Sequence, residues 1–297
     1  MKTIVSKPFA APGGEPAAKA PSLLVVGCGD LGGGVAAACA AAGWRVWGLR
    51  RRSVALPGVE AIAADVTDPA SLVPLAGLRP DFVLLALTPG AYTDERYAAV
   101  YVDGLRNWLA ALNRERLRRA LWISSTSVYH QDDGGEVDEA SPAQPAGFAG
   151  RRLLEAETLL AGAGLPHPVL RLGGIYGPGR ERLLRQLRGG VRSPEAPVRY
   201  SNRIHRDDAV GAAAWLLQCA ERGEPLAPLY LGVDAEPTPI AEVERWFAAE
   251  LGLDYAAMRA DESELRGGNR RCSSALLQRT GYRFRYPSYR EGLPTLL

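Results

Sequence analysis

Lysine is nearly missing from this chain. It occurs only at Lys2, Lys7 and Lys19 of 297 residues, and every other basic side chain is arginine. Past Lys19, therefore, no ammonium group can form a Schiff base or assist a proton relay. Cysteine is scarce as well. Cys28, Cys39, Cys219 and Cys272 stand apart with no C-x-x-C pair, which argues against a disulfide framework or a zinc site. His130, His167 and His205 lack metal-ligand spacing, so no metal is expected. No apolar run reaches the roughly 18 residues of a membrane span, so no membrane association is expected. Neither sign of charge dominates: 35 basic residues face 33 acidic ones. Without a basic stripe, nucleic acid is not an expected partner. The segment 1–21 is rich in Ala, Pro, Gly and Lys but has no apolar core of a signal peptide, and reads as a disordered tail. A reducing cytoplasm is the expected location.

What the chain does have is apolar side chains, 47% of the total, enough to bury a sizeable core. Short apolar runs alternate with longer helical patterns. Strands are expected at 23–26, 45–49, 61–64, 82–87, 120–124 and 168–172. Helices are expected at 33–42, 97–112 and 151–160. Strands that are apolar on both faces, alternating with helices, predict a doubly wound parallel α/β sheet of Rossmann type. The second half is less regular. A stretch rich in Gly, Pro and Arg, 173–202, surrounds one helix at 181–187. A helix at 207–219, a strand at 229–233 and a helix at 240–251, capped by Thr238, follow. Residues 22–172 and 203–233 are expected to form the Rossmann domain. Residues 173–202 and 234–297 are expected to form a smaller substrate lobe over the strand ends.

The most informative local feature is Gly27-Cys28-Gly29-Asp30-Leu31-Gly32, which follows an apolar strand and opens a helix. That context makes G-x-G-x-x-G a dinucleotide signal. Gly27 permits the tight turn, Gly29 lets the backbone approach a pyrophosphate, and Gly32 lets helix and strand pack closely. The N–H groups of Asp30 and Leu31 at the helix start then face the phosphates. The next strand ends at Leu49. A carboxylate there would accept from a ribose 2′-OH, but the chain has Arg50-Arg51-Arg52. Guanidinium groups match a 2′-phosphate in charge and geometry, so NADP(H) is expected over NAD(H).

Several segments, in order, resemble atypical members of the extended short-chain dehydrogenase/reductase superfamily, of the NAD-dependent epimerase/dehydratase type. Asp65-Val66 is similar to the pair that contacts adenine, and Leu87-Thr88 to the strand end that reaches the cofactor ribose. The run 123–129, Ile-Ser-Ser-Thr-Ser-Val-Tyr, is similar to the motif carrying the active-site serine, which places that residue at Ser125 with Thr126 beside it. The run from Arg171 to Gly179 resembles R-x-x-x-x-Y-G-P-G, Arg203 to Asp208 resembles R-x-H-x-D-D, and Asn269-Arg270-Arg271 resembles a C-terminal N-K-R stretch. The resemblance implies a nicotinamide enzyme on a small substrate and, by analogy, a homodimer paired through helices.

The family's chemistry uses a Tyr-x-x-x-Lys pair on the helix after the fifth strand. Here Phe148 stands at the tyrosine position and Arg152 at the lysine position, and Asp103 replaces a structural asparagine. Arg152 is expected to hold the ribose as a fixed cation. A substitute proton donor is sought first in His130, which follows the Ser125 motif. Tyr129, Tyr176 and His205 are alternatives. Arg180, Arg182, Arg185, Arg188 and Arg192, with Arg203, Arg270 and Arg271, are candidates to clamp an anionic substrate. Two functions remain open: an NADP(H)-dependent oxidoreductase or epimerase-like enzyme, and an NADP(H)-binding redox sensor or scaffold without turnover.

Overall fold

The structure is a computed structural model that describes residues 20–52, 55–261 and 268–297. Nearly all of the expected tail thus lies outside the described residues. A seven-stranded sheet forms the centre. Its strands are β1 (Ser22–Val26), β2 (Arg45–Arg50), β3 (Val59–Ala63), β4 (Phe82–Leu85), β5 (Arg119–Ser125), β6 (Val169–Leu172) and β7 (Leu229–Gly232). All neighbours pair in parallel, in the order β3-β2-β1-β4-β5-β6-β7. This is the doubly wound sheet expected from the alternating pattern. Leu23, Leu24, Val25 and Val26 of β1 are fully buried. Each such side chain contributes roughly 1.5–3 kcal/mol relative to exposure.

Helices cover both faces. On one face α1 (Asp30–Ala41) and α6 (Arg206–Glu221) pack through small residues. A Cβ on Gly34 would press into Val210, so glycine there sets how closely the two helices approach. On the other face lie α2 (Asp94–Tyr97), a π-helical turn (Ala98–Asp103) and α3 (Gly104–Ala111), which run as one continuous rod. Beside them lies α4 (Phe148–Gly162). Trp108, Trp122, Leu105 and Leu160 fill the space between this layer and the sheet. The chain order reverses at β1, with β2 on one side and β4 on the other, which opens a crevice beyond their carboxyl ends.

The second half adds α5 (Arg182–Arg188), α7 (Ile240–Glu250), α8 (Ala275–Arg279) and α9 (Tyr289–Gly292). A separate apolar cluster, including Tyr176, Leu187, Phe247 and Tyr289, lies under this part. Short parallel pairs, Gly174–Tyr176 with Arg203–His205 and Glu136–Val137 with Arg271–Cys272, tie it to the sheet.

Several bounds differ from expectation: α1 begins at Asp30 rather than 33, α4 at Phe148 rather than 151, β3 spans Val59–Ala63 rather than 61–64, and β4 ends at Leu85 rather than 87. The helix expected from Tyr97 starts at Asp94, because the Thr93 hydroxyl accepts from the Arg96 N–H and caps it. Thr238 does not cap α7. Its hydroxyl donates to the Glu236 carbonyl, and Pro239 takes the cap position.

Asp234, on the segment after β7, is buried, and its nearest charged partner is Arg203 at 3.6 Å. Burial pushes its carboxyl up to about 7, and the Arg203 charge does not offset this. The folded protein thus keeps a proton that the unfolded chain releases near the ordinary carboxylate range. This group's contribution to stability is therefore full below about pH 4 and is lost as pH rises through about 7. Asp234→Asn is expected to stabilise relative to wild type increasingly between about pH 5 and pH 8, measured by urea unfolding. A difference that is constant with pH would contradict the assignment.

Candidate functional site

The crevice beyond β1 and β4 is a cleft of about 850 Å³. Its floor is the glycine turn. The Gly27 and Cys28 amides both donate to the Leu49 carbonyl, at 3.0 and 2.9 Å, which fastens the turn to β2. Gly27 has φ +91°, and a Cβ on it would collide with the Ala86 carbonyl. A Cβ on Gly32 would collide with the Gly27 carbonyl, so the helix can start this close to the strand only with glycine there. Nothing lies within 4 Å of where a Gly29 Cβ would stand, so that backbone is open to the cleft. The first N–H groups of α1 have no intrahelical acceptor and suit an anion.

The expected cofactor residues gather here: Gly27, Gly29, Asp30, Leu31, Arg50, Arg51, Asp65, Val66, Leu87 and Thr88 all line the cleft. Gly32 sits just beneath, as its packing role requires. The Asp65 carboxylate accepts from the Thr67 N–H at 2.9 Å and from its hydroxyl at 2.8 Å. Burial raises this carboxyl, but the Thr67 bonds and the charges of Arg51 and Arg96 outweigh that and hold it below the usual range. Arg52, Arg96 and Arg180 also line the cleft. Sequence reasoning missed Arg96. The signal was Thr93-Asp94-Glu95, a cap followed by first-turn acids, which starts the helix early and brings Arg96 beside Pro89, whose carbonyl it bonds.

Ser125 lines the cleft at the end of β5, and its hydroxyl oxygen accepts from the Ser127 N–H at 3.1 Å. Its own proton is left to donate toward the cleft. The strand end is held by a buried network. The Ser124 hydroxyl donates to Glu157 at 2.6 Å, Arg171 bonds both Glu157 oxygens at 3.1 and 2.6 Å, and Arg171 also donates to the Tyr129 hydroxyl at 2.8 Å. Tyr129 thus serves the fold rather than a substrate.

Other candidates fall outside the cleft. His130 is exposed and does not line it. Thr126 is buried, and its carbonyl is bound by Arg270 at 2.7 Å. His205 is buried and caps α6 by accepting from the Asp207 N–H, with Thr295 on its other ring nitrogen. Tyr176 is buried beside it, and burial raises its phenol. The arginine clamp is not assembled either. Arg203 bonds Ser201, Arg270 the Thr126 carbonyl, Arg271 the Gly134 carbonyl and Arg192 the Met258 carbonyl. Of that set, Arg180 reaches the cleft.

Phe148 and Arg152 form a clasp between α4 and α2. Phe148 packs on Tyr92, with ring centroids 4.9 Å apart, and edge-on to Tyr97 at 5.4 Å. Arg152 forms a fork on Asp94, at 2.7 and 3.1 Å, and bonds Glu155 at 2.9 Å. Arg152 does not line the cleft, which departs from the expectation that it holds a ribose. The remaining phenol of the cleft, Tyr101, donates to the Leu87 carbonyl, and burial raises it.

The model of the NAD-dependent epimerase/dehydratase family matches residues 23–225. The chain belongs to this family. A structure from Methylobacillus flagellatus, described as an NAD-dependent epimerase/dehydratase, is 37% identical with a TM-score of 0.79, covering 93% of this chain and 97% of that one. Protein YeeZ of Escherichia coli strain K12 is 28% identical, covering 89% of this chain and 96% of YeeZ. The 3-diazoavenalumate denitrifying reductase of a Streptomyces species is 30% identical, covering 77% of this chain and 81% of the reductase. The matched span includes the glycine turn, Ser125, Phe148 and Arg152.

Because Arg152 is engaged with Asp94 and Glu155, Arg152→Ala is expected to leave nicotinamide-dinucleotide affinity within about twofold, measured by titration calorimetry. A loss of about tenfold or more would return Arg152 to the ribose.

Proposed function

We propose that this protein is an NADP(H)-dependent oxidoreductase of the atypical short-chain dehydrogenase/reductase type, acting on a small substrate. The observation that carries this reading is the cleft itself: a glycine turn and helix start on its floor, with Arg50, Arg51 and Arg52 on its edge where a carboxylate would favour NAD. Arg96 adds a further cation to that edge. Open space at Gly29 suits a pyrophosphate, and the guanidinium groups lining the cleft match a 2′-phosphate in charge.

When bound, a reduced nicotinamide supplies hydride. The Ser125 hydroxyl donates a hydrogen bond to an acceptor oxygen or nitrogen. Among the described residues that line the cleft, Tyr101 is raised by burial and engaged with the Leu87 carbonyl, and Asp30 and Asp65 are held below the usual carboxylate range, so none of these three is set to donate a proton. The site therefore suits an acceptor that takes hydride without a protein acid, drawing any proton from water. The 30% identical relative named as a reductase supports this direction. The part of the chain over the apolar cluster of Tyr176 and Phe247 would form the substrate lobe.

A second reading, dinucleotide binding without turnover as a sensor or scaffold, is favoured by the clasp that absorbs both catalytic positions. No helix among the described residues is long and apolar enough to cross a membrane. A cytoplasmic setting follows only by analogy. Arg106 on α3 joins Asp103 on the preceding turn to Glu155 on α4 in an ion network at the surface. These charges suit solvent as well as a partner.

NADPH is expected to bind more tightly than NADH. Arg50→Ala and Arg51→Ala should each weaken NADPH roughly tenfold or more while changing NADH less than about threefold. Equal affinity of wild type for both cofactors would overturn the NADP(H) assignment. Stopped-flow oxidation of bound NADPH by a panel of carbonyl and cationic acceptors separates the two functions. Turnover that is lost in Ser125→Ala supports the enzyme, and no turnover with any acceptor supports the binder.

A further inference from the structure

Asp30 is an unusual residue to find where a pyrophosphate would lie. It opens α1, and its carboxylate lines the cleft at the helix start that should attract an anion. Left alone it would repel phosphate. It is not alone: Arg180 Nε donates to it at 2.7 Å, and Arg206 Nε makes a second, short bond. Burial pushes the carboxyl up, but these bonds outweigh that and hold it below the usual range, so it stays ionised.

The two arginines differ in their anchorage. Arg206 is the first residue of α6, and it also bonds Asp207 at 3.1 Å and the Asp30 carbonyl at 3.4 Å. It is a fixed partner. Arg180 is the last residue of the turn Gly177-Pro178-Gly179-Arg180, closed by the Arg180 N–H to the Gly177 carbonyl at 2.8 Å. Gly177 and Gly179 take φ of +130° and +80°. This turn leaves the Gly174–Tyr176 strand and reaches across the cleft to the glycine turn. The Arg180–Asp30 pair is part exposed, at 38% and 43% of side-chain surface, and such pairs are weak. Arg180 lines the cleft, whereas Arg206 does not.

We infer that Arg180 is a pyrophosphate-binding residue which Asp30 holds in place until a dinucleotide arrives. This rests on the cofactor reading above. On binding, Arg180 exchanges the carboxylate for a phosphate oxygen, a charge-assisted bond to a more highly charged partner. Asp30 keeps Arg206, so no carboxylate is left bare beside the phosphates. Two cations on one carboxylate are what such an exchange requires: one to move and one to remain.

The test compares NADP⁺, which has the pyrophosphate, with adenosine 2′-monophosphate, which lacks it. Calorimetric titrations would use wild type, Arg180→Ala, Arg180→Lys and Asp30→Asn, with thermal melts to confirm that each folds. Arg180→Ala should weaken NADP⁺ roughly tenfold and leave adenosine 2′-monophosphate within about twofold. Arg180→Lys should fall between wild type and Arg180→Ala. Asp30→Asn should tighten NADP⁺, by about threefold or more, because Arg180 is freed and a repelling charge is removed. Unchanged NADP⁺ affinity in Arg180→Ala, or equal weakening of both ligands, would overturn the inference. Failure of wild type to bind NADP⁺ would instead remove the cofactor reading, and this inference with it.

Discussion

The Leu49 carbonyl, accepting from the amides of Gly27 and Cys28, is the contact on which the cleft depends. It draws the chain leaving β1 against the end of β2, so the start of α1 and the arginines after Leu49 share one crevice. The approach is so close that side chains are excluded at Gly27 and Gly32, which meet the carbonyls of Ala86 and of Gly27 itself. Backbone thus packs on backbone at the junction of β1, β2 and β4. The phosphate end and the 2′-ribose end of the site come from the same few residues.

The other end is fixed by a different device. Ser125 projects from β5, and its neighbour Ser124 is tied through Glu157 to Arg171 on β6. A buried pair of this kind costs desolvation, and it is tolerable because Arg171 satisfies both carboxylate oxygens and also reaches Tyr129. The result is a rigid strand end, with a serine presented to the cleft. Across from it, Phe148 and Arg152 hold α4 to the start of α2 through rings and a forked ion pair. These two side chains act as a joint between two helices.

Most of the sheet was legible from the residues. Strands buried on both faces read as apolar runs, and the G-x-G-x-x-G turn marked the strand-to-helix corner because only glycine fits there. Loop-borne and partner-dependent features were not legible. Nothing local to Arg152 shows that Asp94 would claim it, since the two are far apart in sequence and meet only once α2 begins at its Thr93 cap. His130 followed the serine motif directly, yet the turn at 126–128 carries the chain away from the cleft and leaves the ring in solvent. The arginines of the second half looked equivalent as a list of cations. Folding distributed them: Arg203 and Arg270 into the interior, Arg192 and Arg271 onto backbone carbonyls, and Arg180 alone of that set into the cleft.

That distribution bears on what a chain without lysine past Lys19 can do with its cations. A guanidinium is always charged, forks onto carboxylates and carbonyls, and binds phosphate well. Those properties suit the cleft edge lined by Arg50, Arg51, Arg96 and Arg180, which the proposed reading gives to phosphate. They do not serve a relay, which needs an ammonium that can share a proton with a tyrosine. At position 152 the fixed charge instead favours a carboxylate, and Asp94 supplies it. Once the cation points there, a tyrosine hydroxyl at position 148 would have no lysine to lower its pKa, and a ring packing on Tyr92 and Tyr97 is the better use of the site. Arg152 on Asp94 and Phe148 on Tyr92 and Tyr97 are thus two halves of one contact, and in the proposed reading the cleft supplies binding and hydride geometry rather than acid–base catalysis.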